Sequence, residues 1–252
     1  DALYLGGGSQ NTIEAGTFTA RTETDGYAYG IYSTASKTDV KGGTFTVVSA
    51  ADNAYGVSVG RTQTNISGNP VFTVSGNSEC AGVHAFSVTP KSDYFGTATV
   101  TGGTFTVNAT TSHAYGIYAE GNTSMDGSTG YAKAGVINVS GGTFAVNSPN
   151  AVGINVGSKV TSGSAEASPE IRTTGGRFNV SGTDAIATNT DAATTANVIQ
   201  GGWYSLNTNL STYAPTPYYV FDLAGQSPYL YEVAEGYTVT FQNYNNNQLQ
   251  TG

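Results

Sequence analysis

Gly103-Thr-Phe-Thr-Val107 is followed a few residues later by Ala114-Tyr-Gly-Ile117, and the two phrases recur in that order along the chain. The first returns as Gly16-Thr-Phe-Thr19, Gly43-Thr-Phe-Thr-Val47, Pro70-Val-Phe-Thr-Val74, Gly142-Thr-Phe-Ala-Val146, Gly176-Arg-Phe-Asn-Val180 and Gly202-Trp-Tyr-Ser-Leu206. The second returns as Ala28-Tyr-Gly-Ile31, Ala54-Tyr-Gly-Val57, Cys80-Ala-Gly-Val83 and Ala151-Val-Gly-Ile154. Successive copies of the first phrase start 27, 27, 33, 39, 34 and 26 residues apart, the period of one coil of a solenoid. Two short extended phrases in constant register leave little room for a helical repeat.

Side chains of a strand alternate between its faces, so Gly-Thr-Phe-Thr-Val sends Phe and Val one way and the two Thr the other. The expected inner column is Phe18, Phe45, Phe72, Phe105, Phe144, Phe178 and Tyr204, beside Ala20, Val47, Val74, Val107, Val146, Val180 and Leu206. Strict alternation in the second phrase buries Tyr29 with Ile31, Tyr55 with Val57, Ala81 with Val83, Tyr115 with Ile117 and Val152 with Ile154. A third strand is expected at Ile13, Val40, Ile66, Val100, Val139 and Ile199, just ahead of the glycine pairs at 42–43, 102–103, 141–142, 175–176 and 201–202. One glycine of each pair is expected to take a positive φ and so turn a sharp corner. The predicted architecture is all-β: a single-domain parallel β-helix, taken as right-handed, with three short strands per coil and about seven coils. It occupies residues 1–210, with a Tyr-rich, strand-rich cap at 211–252. Insertions at 119–131 and 157–168 should project from one corner, where they do not disturb the ladders.

Composition points the same way. The 252 residues include 34 Gly, 17 Tyr and 10 Phe, and only 10% are charged, so the charged, helix-forming surface of most soluble proteins is missing. The formal net charge is −8 and the Lys and Arg total 9, too few and too scattered for a nucleic-acid partner. No apolar run approaches the ~18 residues of a membrane span, and no signal peptide stands at the start, so the chain reads as a processed or excised segment. The single Cys80 stands where other coils have Ala and is read as a small packed residue.

The units "SGGTFTV…AYGIY" and the closing run "GGWYSLNTNLSTYAP…YEVAEGYTVTF" resemble the solenoid regions of secreted or wall-attached, adhesin-like surface proteins of Gram-positive gut anaerobes. The run Gly236-Tyr-Thr-Val-Thr-Phe241 is similar to the opening strand of small β-grasp repeats that can follow such regions. Leu249-Gln-Thr-Gly252 lacks the Pro of the Leu-Pro-x-Thr-Gly sorting pentapeptide. The resemblance implies an extracellular, cell-surface location and a structural or adhesive role. Its partners would be further copies of the chain, another surface protein, or a host or microbial glycan.

Candidate chemistry is sparse. Asp25, Asp52, Glu79 and His113 fall at the same corner of four successive coils, the nearest match to the carboxylate clusters of solenoid polysaccharide lyases and hydrolases. No Arg repeats beside them, and Asn53 and Asn150 in the same column read as turn formers, so no catalytic residues are expected. The calcium nonapeptide, a Walker lysine and paired histidines are absent from the sequence, so neither metal nor cofactor is expected. Two surfaces remain as candidate interaction faces. One is the double Thr column of Thr44, Thr46, Thr104 and Thr106, similar to the ice-binding faces of insect antifreeze solenoids. The other is the strip Ala28, Gly30, Ala54, Gly56, Gly82, Ala114, Gly116, Ala151 and Gly153, expected to face outward and admit a partner backbone. The favoured reading is a non-catalytic extracellular solenoid of a bacterial surface assembly. Its alternative is a subunit that polymerises through its end strands into a fibre, with a polysaccharide-active enzyme or an ice-binding protein behind both.

Overall fold

In a computed structural model, residues 1–87, 95–126, 129–157, 160–162, 165–182, 184–188, 197–236, 240–242 and 248–251 are described. Three strands make a coil, and each pairs in parallel with its counterpart in the next. The tyrosine sheet runs through Leu3–Leu5, Ala28–Ser33, Ala54–Val59, Cys80–Ala85, His113–Ala119, Asn150–Val156 and Asp184–Thr188. The phenylalanine strands are Thr17–Thr22, Thr44–Ser49, Val71–Gly76, Thr104–Ala109 and Thr143–Asn147, and the preceding set is Gln10–Ile13, Lys37–Val40, Gln63–Ile66, Thr97–Val100 and Val136–Val139. In the sixth coil these two sets merge into one strand, Glu170–Val180, and in the seventh into Asn197–Tyr204. The chain is thus a parallel β-helix of seven coils, as its period predicts.

The interior is the predicted ring stack. Phe18, Phe45, Phe72, Phe105, Phe144, Phe178 and Tyr204 lie face to face with centroids 4.5–5.3 Å apart. That spacing is the distance between neighbouring strands, so in-register pairing alone brings the rings into contact. All but Phe18, at the open first coil, are completely buried. Tyr204 ends the ladder and its hydroxyl donates to the Gly201 carbonyl at 3.0 Å, which satisfies the one polar atom the substitution brings inside.

At the corners the second glycine carries the positive φ, 94° at Gly103 for example, while a Cβ on the first would sit 2.4 Å from the Gly68 carbonyl oxygen of the coil before. Both members of the pair are therefore required, one for conformation and one for clearance. The third column contains a residue the sequence reading skipped. Thr173 pairs with Val139 on one side and Ile199 on the other, is fully buried, and its Oγ1 has no hydrogen-bond partner.

The insertions form antiparallel hairpins, Gly121–Asp126 with Thr129–Ala134 and Val160–Ser162 with Ala165–Ala167, and the two hairpins lie against each other. At the far end Asn197–Tyr204 is paired on its outer side by Tyr231–Glu235, running antiparallel, which in turn pairs with Tyr218–Asp222. A one-turn helix, Leu210–Tyr213, presses Leu210 into the core beside it. The last coil is thereby covered at Gly202–Tyr204 by two further antiparallel strands. Among the described residues no helix is long and apolar enough to cross a membrane.

Candidate functional site

The second phrase does not alternate as expected. Ala28, Ile31, Ala54, Val57, Cys80, Val83, Ala114, Ile117, Ala151 and Ile154 all belong to the central core, while Tyr55, Ala81, Tyr115 and Val152 form a separate cluster outside the sheet, with Tyr29 and Tyr118 packed on it. Each strand carries two successive inward residues, the glycine and the aliphatic after it, so the phase slips by one. The cause is close packing. A Cβ on Gly82 would lie 2.7 Å from the Gly116 carbonyl oxygen and 3.3 Å from the Phe105 side chain, a distance at which atoms cannot coexist. The Ala/Gly strip of Ala28, Gly30, Ala54, Gly56, Gly82, Ala114, Gly116, Ala151 and Gly153 is therefore interior and fully buried, and the expectation that it faces a partner is corrected. Tyr29, Tyr55 and Tyr115 face outward instead.

The outer side of the tyrosine sheet carries two rows. One contains Tyr29 stacked on Tyr55 at 5.5 Å; the other aligns Tyr32, Ser58, His84 and Tyr118 by register. Cross-packing links them, with His84 stacked on Tyr55 at 4.7 Å, on Phe86 at 5.0 Å and on Tyr118 at 5.2 Å. Its ring is wired at both nitrogens, Nδ1 3.2 Å from Ser58 Oγ and Nε2 3.0 Å from Glu120 Oε2. A neighbouring network runs from Asn53 Nδ2 to the Tyr55 hydroxyl and from that hydroxyl to Glu79 Oε1, both 2.9 Å, while the Glu79 amide donates to Asn53 Oδ1. Burial pushes the Glu79 carboxyl above the usual carboxylate range, and the Tyr55 bond only partly offsets it. Burial also raises the phenols of Tyr29, Tyr55, Tyr115 and Tyr118, so all four remain neutral donors at any ordinary pH.

Ser58, His84 and Glu120 have the residue types of a nucleophilic triad, but Ser58 is completely buried and the imidazole is clamped between rings. A substrate atom has no approach to that hydroxyl, and the bonds serve to satisfy a polar group inside an aromatic stack. Of the predicted acidic column, Glu79 and His113 stand just ahead of the paired Cys80 and Ala114, but Asn53 and not Asp52 stands ahead of the Ala54 that pairs with Cys80, and the Asp52 carboxylate accepts from the Asn53 amide. Among the described residues no three His, Cys, Asp or Glu side chains are placed to hold a metal. Burial pushes the Cys80 thiol up to about 12, which makes it inert at neutral pH.

The Thr columns do face solvent. Thr17, Thr44, Val71, Thr104, Thr143, Arg177 and Trp203 pair in one row, and Thr19, Thr46, Thr73, Thr106, Ala145 and Asn179 in the next. The first row borders the corner, which is a glycine pair in five of the coils and Ala15-Gly16 and Asn69-Pro70 in the other two. Over the last three coils, where Tyr231–Glu235 closes it, the corner forms a groove of about 540 Å³. One rim is Ser140, Thr174 and Gln200, the residues before each glycine pair, and the other is Thr143, Arg177 and Trp203, the residues after. Arg177 lies over the Trp203 ring at 5.1 Å and the Tyr229 ring at 5.9 Å. The sequence signal was present in the change from Thr to Arg and Trp at the end of the row, which reads as decay of a pattern until the cap is seen beside it. No family model matches the chain, and no curated protein or solved structure is significantly similar to it.

Proposed function

We propose that the chain is a non-catalytic, extracellular β-solenoid of a bacterial cell surface, a rigid rod that carries adhesive contacts along its sides. The observation that carries this reading is the ring stack from Phe18 to Tyr204, unbroken through every coil. A close-packed column of that kind resists bending, and seven coils at ~4.8 Å make roughly 35 Å of rod. The non-catalytic part is supported by the titratable groups of the tyrosine sheet: Glu79, His84 and Glu120 direct their bonds to Tyr55, Ser58 and one another. The location follows from the resemblance of the repeats to surface solenoids.

Beads coated with the protein and drawn over host mucin or bacterial wall polysaccharide should be retained above beads carrying an unrelated protein of equal charge. Equal retention on every surface would remove the adhesive role. New reducing ends or unsaturated products, on incubation with acidic and neutral glycans, would remove the non-enzymatic one.

A second reading, joining through end strands, has one observation in its favour. Leu3–Leu5, Gln10–Ile13 and Thr17–Thr22 each pair on one side only, and unpaired edges are templates for another strand. At the opposite end Tyr231–Glu235 covers Gly202–Tyr204 and, among the described residues, Asp184–Thr188 pairs on one side only, so joining there would rest on that single strand.

A further inference from the structure

We propose that the groove at the capped end is a saccharide-binding site selective for glycans that carry carboxylates, with Arg177 as the anion contact and Trp203 as the sugar platform. The proposal deepens the adhesive reading and rests on it for its biological role. Its floor is formed by three glycine pairs, 141–142, 175–176 and 201–202, so an extended chain can lie against backbone with no side chain intervening. A second hollow of about 180 Å³ shares the rim Ser140, Thr174 and Gln200 with it and adds Asn138 and Arg172 beyond that rim, so that polar groups lie on both sides of the rim. Hydroxyls, amides and backbone carbonyls spaced along a shallow track suit the repeating hydroxyls of a polysaccharide better than a compact ligand.

The selectivity comes from Arg177. Its guanidinium lies over two rings, and among the described residues it holds no ion pair, although Glu232 and Glu235 line the same groove. Arg172, one coil-face away, is by contrast engaged by Glu170 at 2.8 Å. Stacking holds the plane of a guanidinium while leaving its edge N–H groups available, the geometry that grips a carboxylate with two parallel bonds. Arg177 is the one cationic side chain among the described residues that line the groove. Trp203 is 37% exposed and offers an apolar surface for the C–H face of a sugar ring, while Glu232, opposite it in register, accepts from hydroxyls.

Trp203 is the only tryptophan of the chain, so its emission reports this groove and nothing else. Titration of the whole protein with oligogalacturonate should shift or quench that emission saturably, and neutral xylo-oligosaccharide at equal concentration should bind at least tenfold more weakly. Arg177→Gln should lose tenfold or more for the acidic chain with an unchanged melting temperature, Arg177→Lys should fall between, and Lys37→Gln, at an exposed cation in the second coil away from the groove, should match the parent. Equal binding of acidic and neutral chains, or an unaltered affinity in Arg177→Gln, overturns the carboxylate assignment. Unchanged emission with every saccharide overturns the site itself. Bead retention on mucin or wall polysaccharide, measured on the same preparation, separates that outcome from failure of the adhesive reading, because retention by other surfaces of the rod does not need the groove.

Discussion

Phe105 and Thr104 are neighbours in the chain that do opposite things. Phe105 is fully buried between Phe72 and Phe144, while Thr104 is exposed on the outer row. Phe105→Ala should cost ~3–5 kcal/mol, because the emptied volume is enclosed by rings that strand pairing holds in place, whereas Thr104→Ala should cost well under ~1 kcal/mol. Urea denaturation of both variants checks this, and equal losses would contradict the inner ladder. Thr173 offers the reverse case. Its buried, unpartnered hydroxyl lies between Val139 and Ile199, so Thr173→Val removes a desolvation cost at constant shape and should raise stability by about 1 kcal/mol. Glu79 adds a pH dependence with a definite sign. Its folded pKa is raised by burial, so the folded state binds the proton more tightly than the unfolded chain does. Stability then falls as pH rises from the ordinary glutamate value through the raised one. Glu79→Gln abolishes that dependence, and its melting temperature relative to the parent should be more favourable at pH 8 than at pH 4.

The five tyrosine-sheet strands that carry Gly30, Gly56, Gly82, Gly116 and Gly153 each have a dislocation at that glycine, and that single slip sets what the element can do. Ala and Gly turn inward to meet the phenylalanine strands, and the tyrosines turn outward into a second cluster with His84. Gly82→Ala should lose about 1–3 kcal/mol by overpacking, since its new methyl would meet the Gly116 carbonyl oxygen at 2.7 Å. Gly82→Arg with Gly116→Arg should abolish the β-rich circular dichroism signal altogether. A doubly substituted protein that stays folded would restore the strip to the surface. The hairpins 121–134 and 160–167 leave from the ends of these strands and pack on each other, which places added sequence beside the ladders without entering them.

The assembled rod has unlike ends. At one, two antiparallel strands and Leu210 cover part of the last coil and, among the described residues, leave Asp184–Thr188 paired on a single side; at the other all three strands of the first coil are paired on a single side. Purified protein should therefore appear by negative-stain microscopy as discrete short particles, or as pairs joined at one end. Long unbranched filaments would mean that the cap opens to admit a neighbour. Along the sides, the Thr rows are interrupted by the apolar Val71 and Ala145 and become charged and aromatic only at Arg177 and Trp203, beside the last coil.

The repeat period, the number of coils, the phenylalanine ladder and the corner glycines were all legible in the chain, because each depends on residues within one coil and on a side-chain period of two. The face of the tyrosines was not. Alternation places Tyr29 with Ile31, and only the facing Val47 and the carbonyl of Gly56, against which a Cβ on Gly30 would press at 2.9 and 2.6 Å, show why the strand slips there. The spacing of Tyr29 and Tyr32, three apart across a glycine, was the available sign of it. The groove lay still further from view, since its rims come from three coils and its end wall from Tyr231–Glu235. Strand pairing over such separations is a property of the folded coil, so Arg177 and Trp203 become neighbours of Glu232 only when the last coil has been closed.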